Sequence, residues 1–157
     1  MANKAKSKDR FDPKLPRDIR NIQREGRADL STEFQAGTLV RRDGERLVLF
    51  DVTENAIAKP EIVWTDGKHR VDVERVNLDG TREKEYTTIA LDCVAVVDAE
   101  LFQEGANPAE GMVVLKGEDG QLDAGDLTSV GTDLHLVIGY IEKEEAGTGK
   151  FTVKFNL

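Results

Sequence analysis

Few residues in this chain have the type and spacing that chemistry requires. The two histidines, His69 and His135, fall in separate stretches, and neither has a second histidine or a cysteine at zinc-ligand spacing. Gly147-Thr148-Gly149-Lys150 has the end of a phosphate loop, but the pattern G-x-x-x-x-G-K needs glycine at 144, where glutamate stands, and Phe151 follows in place of Ser or Thr. That segment reads as a hairpin tip. Asp119, Asp123 and Asp126 are oxygen donors for a hard cation, yet their spacing is not the D-x-D-x-D-G of a calcium loop, so a solvated acidic loop is expected. Ser7, Ser31 and Ser129 lack the flanking pattern of an activated nucleophile. Cys93, the sole cysteine, sits in the apolar run 89–97 and reads as a buried structural thiol, which leaves no partner for an intrachain disulfide. The expectation is a protein that is not an enzyme, with no catalytic residue, no metal and no cofactor.

The elements that carry these residues are mostly strands. Residues 1–14 are polar and basic and read as an extended arm. Pro16 then opens a short helix in which Leu15, Ile19 and Ile22 share a face and which Gly26 can stop. From Gly37 onward the apolar period becomes two. Asp43-Gly44 predicts a hairpin between Thr38–Arg42 and Arg46–Val52, and Asp66-Gly67 a second between Glu61–Trp64 and His69–Leu78. Asp79-Gly80 turns the chain into Thr81–Thr88. Ile89–Val97 reads as a strand with its odd positions buried and with Val94 and Val96 partly covered on the other face. After a connector at 99–110 with one helical turn come Met112–Leu115, a turn at Asp119-Gly120, a loop through Gly131, and the strands Leu134–Ile141 and Lys150–Phe155. Short strands and repeated Asp-Gly turns predict a mainly β fold: an antiparallel small barrel or sandwich with an extended N-terminal arm and one short helix. The organisation expected is an arm with a helix over 1–30, a β region over 31–98 and a small β barrel over 99–157, with the two β regions left open to share one core.

Charge is distributed unevenly. Residues 1–30 hold nine Lys/Arg and five Asp/Glu, whereas the remaining residues give most of the acidity of a chain with net charge −8. The acidic body disfavours phosphate and anionic lipid, so no specific nucleic acid and no membrane partner is expected. No apolar run approaches the ~20 residues of a membrane span, and the polar start has no signal-peptide core. A basic arm on an acidic body suits contact with an acidic neighbour. The partner-binding residues expected are therefore Lys4, Lys6, Lys8, Arg10, Arg17 and Arg20 for charge, with Leu15, Ile19 and Ile22 packing on a partner.

The last third adds a resemblance. Gly105-Ala106-Asn107-Pro108-Ala109-Glu110-Gly111-Met112-Val113-Val114-Leu115 runs into the hairpin Glu118–Leu122, and Leu136-Val137-Ile138-Gly139-Tyr140-Ile141 pairs with the closing strand Lys150–Phe155. This pattern, with the basic arm, resembles the capsid decoration (cement) proteins of tailed bacteriophages; residues 37–93 match nothing in it. The resemblance implies a virion structural protein on the capsid surface, assembled in the host cytoplasm, in trimers or dimers, and binding the major capsid protein. The alternatives carried beside it are a tail-tube or head–tail connector subunit and a non-viral β-barrel binding module.

Overall fold

A computed structural model describes residues 10–14, 23–29, 32, 34–64, 73–90 and 93–155. It is mainly β, as the period-two pattern requires, and is built from two sheets. The first is an open antiparallel sheet formed by β1 (Phe11–Lys14), β8 (Val94–Asp98), β12 (Lys150–Phe155), β11 (Val137–Glu145), β9 (Val113–Lys116) and β10 (Leu122–Gly125), in that order. The second joins β2 (Gln23–Asp29), β4 (Arg46–Leu49), β3 (Leu39–Asp43), β5 (Glu61–Val63) and β7 (Arg82–Ala90), and β2 pairs again with β7, so these five strands close into a barrel. Closure rests on one parallel bridge, Arg27 with Arg46; the other barrel pairings are antiparallel. β6 (Val73–Val76) extends β7 outside the ring.

The barrel is narrow, and its filling shows it. Ala28, Val40, Leu47, Val63 and Tyr86, one from each strand, meet inside with Phe34 as a plug. Gly26 makes this filling fit: a Cβ there would come within 2.4 Å of the Leu47 side chain. The tyrosine is buried with its hydroxyl satisfied, donating to the Thr32 carbonyl at 2.8 Å and accepting from the Phe34 amide at 3.3 Å.

The opposite faces of the same strands make the larger core. Leu39, Ile62 and Ile89 lie in register across β3, β5 and β7 and join Phe50 and Trp64 in one cluster with Phe11, Ala95, Val97, Val114, Leu122, Ile138, Ile141, Phe151, Val153 and Phe155 of the open sheet. Backbone bonds reinforce the junction. The turn before β10 enters the barrel wall: the Leu39 amide donates to the Gly120 carbonyl and the Gly120 amide donates to the Phe50 carbonyl, each at 2.7 Å. Gly120 holds φ +75° there, and a Cβ would meet Leu49 and Thr38 at 2.8 Å.

Several expectations change on this framework. Gly26, expected to stop a helix, lies in the middle of β2; the helix itself was placed on residues that, from Leu15 to Ile22, lie outside those described. Residues 11–14 are extended, but they form part of the sheet, and Phe11 is wholly buried. The hairpin at Asp43-Gly44 forms, although β4 ends at Leu49 because Asp51 caps the helix α1 (Val52–Asn55), accepting from the Thr53 amide at 3.0 Å. The turn of the expected second hairpin, Asp66-Gly67, lies outside the described residues, and among those described its two strands do not pair: β5 pairs with β3 and β7, and β6 pairs with β7. The run 89–97 is two strands, Ile89 in the barrel and Val94–Asp98 in the open sheet, with odd positions Ile89, Cys93, Ala95 and Val97 buried. The loop before Gly131 contains the helix α2 (Leu127–Val130), and Leu134–Leu136 is a 3-10 turn, so His135 is exposed on that turn and not on a strand.

Candidate functional site

The expected contact residues divide sharply. Lys4, Lys6, Lys8, Leu15, Arg17, Ile19, Arg20 and Ile22 lie outside the described residues; Arg10 lies within them. Its guanidinium hydrogen-bonds the Gln35 side-chain carbonyl and pairs with Glu100 at 3.1 Å. Phe11 follows directly and enters the core, its ring 6.2 Å from that of Phe155. Arg10 and Phe11 are thus fastened at the edge of the open sheet, where Asp98 and Glu145 lie in register with Lys150 on the neighbouring strands.

Sequence reasoning missed a second charged feature. Around the mouth of the barrel, Glu61 receives a forked contact from Arg42, at 2.7 and 3.3 Å, and a hydrogen bond from the Thr88 hydroxyl at 2.9 Å. Arg42 also donates to the Glu25 carbonyl at 2.9 Å, and Arg24 stands 3.8 Å from Glu61. Partly buried and doubly bonded, the Arg42–Glu61 pair has the geometry in which an ion pair is specific. Above it lies a trough of about 380 Å³ bordered by Arg24, Arg27, Arg42, Glu25, Glu45 and Glu85. Its three arginines and three glutamates balance, so it offers no net charge to a ligand. The signal in the sequence was alternation: Glu61 and Arg42 share the inward face with Val63 and Val40.

Lys116 was also unexpected. Only 4% exposed, it is the last residue of β9, and its amine donates to the carbonyls of Ala56 and Ala58, each at 2.9 Å. Burial pushes its pKa below 10.5, with Lys59 adding to the effect. It acts as a clasp on the loop after α1. Among the described residues no group of three His, Cys, Asp or Glu side chains has the geometry to hold a metal ion. Asp119, Asp123 and Asp126 are instead a turn residue at φ +49°, a β10 residue and the residue before α2. Gly147 and Gly149, at φ +78° and +67°, form the tip between β11 and β12.

No protein-family model matches the chain, and no curated protein or solved structure shows significant similarity to it.

Proposed function

We propose that this protein is a capsid decoration protein that binds and stabilises major-capsid subunits on the surface of a virion, without carrying out a reaction. The observation that supports this reading most is the fixing of Arg10 and Phe11, the described end of a basic N-terminal sequence, at the edge of an acidic body. Arg10 and Phe11 hold the start of β1, and the residues before it include Lys4, Lys6 and Lys8. Opposite charge steers association and sets orientation, and repetition over a shell turns a weak single contact into firm attachment. The body has what such a role needs: a rigid double-sheet core, with apolar side chains such as Ile57 and Leu78 in the open, at 83% and 110% exposure.

The test is co-sedimentation of the purified full-length protein with icosahedral particles from its source. Removing residues 2–9 should reduce bound protein at least tenfold and leave the melting temperature unchanged, because Phe11–Lys14 stay in the sheet. Failure of the intact chain to co-sediment overturns the reading. A β-barrel binding module is the alternative that the trough favours, but its balanced lining makes it the weaker one.

A further inference from the structure

β1 lies in a socket at the edge of the open sheet and pairs with a single strand among those described, through four residue pairs from Phe11–Val97 to Lys14–Val94. One side chain anchors it: Phe11, wholly buried against Phe155 in the core cluster. Pro13 has no backbone N–H to offer, which shields the strand's outer edge from further pairing. Eight residues separate Lys14 from Gln23, where the barrel begins. Fully extended, a stretch of that length would span at most roughly 30 Å. Charge agrees. Residues 1–14 carry five Lys/Arg against two Asp/Glu, and the rest of the chain is strongly acidic; Glu100, which pairs with Arg10, stands beside the socket.

We propose that β1 is an exchangeable strand that leaves its own β8 and occupies the same socket in a second copy of this chain. The contacts described for the closed form are remade in the exchanged form: Phe11 on Phe155, Arg10 on Glu100 and Gln35, and four residue pairs on β8. The two forms differ in which chain's socket β1 fills, and the concentration of neighbours decides between them. A surface that crowds copies side by side favours exchange, and dilution favours closure.

The experiment uses two full-length variants, Asp12→Cys and Val96→Cys, which are directly opposed in the β1–β8 register. The variants are mixed at high protein concentration, incubated, and bridged with a short bis-maleimide; Cys93, being buried, stays unmodified in the folded state. The expected result is a covalent heterodimer that joins residue 12 of one chain to residue 96 of the other by peptide mass spectrometry, and that diminishes at least tenfold when the mixture is incubated dilute. The double variant Asp12→Cys/Val96→Cys supplies the reference, closing within one chain when dilute. If it closes within one chain at every concentration and the mixed single variants give no 12–96 heterodimer, strand exchange is wrong. The measurement needs no capsid, so its failure leaves the decoration reading standing, and failure of co-sedimentation leaves strand exchange standing.

Discussion

Lys116 shows how one buried charge can hold a loop in place. Two backbone carbonyls receive its amine and, among the described residues, no carboxylate does, so the amine carries a desolvation penalty that hydrogen bonding only partly offsets. Replacing it with alanine leaves both carbonyls without their donor and is expected to lower stability by about 2 kcal/mol in chemical denaturation. The sign with pH follows from the depressed pKa. Below 10.5 and above its folded value, Lys116 is protonated in the unfolded chain and less so in the folded one, so stability should rise as pH climbs through that interval. Lys116→Met should lose this rise, and melting curves taken at intervals up to pH 10.5 measure the difference. Tyr86→Phe is expected to cost about 1 kcal/mol, because its hydroxyl serves both the Thr32 carbonyl and the Phe34 amide.

At the scale of the element, the barrel's narrowness is the controlling fact. Gly26→Ala should destabilise by about 1–3 kcal/mol, the range for overpacking a filled core, since the new methyl would meet Leu47 at 2.4 Å. Shortening the neighbour should relieve the clash: in a double-mutant cycle, Gly26→Ala with Leu47→Ala is expected to cost less than the two single effects added together. Full additivity would show that the two positions do not meet. This element also marks the boundary of what could be read from the chain. The turns at Asp43-Gly44, Asp79-Gly80 and Asp119-Gly120 and the alternation of Phe151, Val153 and Phe155 were legible because hairpins and faces are local signals. The partners of β5, the β2–β7 pairing and the parallel bridge that closes the ring were not, because strand neighbours distant in sequence leave no local trace. A glycine among polar residues looks the same as a helix stop or as a space-saver inside a barrel. Of the candidate contact set, charge pointed to Arg10, but nothing near Phe11 revealed a core anchor, because a lone aromatic among polar residues has no period.

For the molecule as a whole, one cluster drawn from both sheets implies one cooperative unit. Trp64, 2% exposed, belongs to that cluster and lies on the barrel side of it. Its fluorescence and the far-ultraviolet circular dichroism of all strands should therefore report the same denaturation midpoint. Phe155→Ala, in the other sheet, should shift both probes together, by an amount corresponding to about 3–5 kcal/mol. Two separated transitions would mean that the barrel and the open sheet melt independently.

The order in which strands find their partners has a consequence for synthesis. β1 cannot pair until β8 has been made, and β2 has its longest pairing with β7, so both sheets begin with a strand that waits for much later sequence. A ribosome would release most of the chain before either sheet could close, and pairing so remote in sequence is slow, on the millisecond-to-second scale of all-β proteins. During that delay Phe11 and the barrel-lining residues are exposed to the crowded surroundings of the nascent polypeptide. Yield in a heterologous host should then depend on translation speed and chaperone supply more than on the stability of the finished protein.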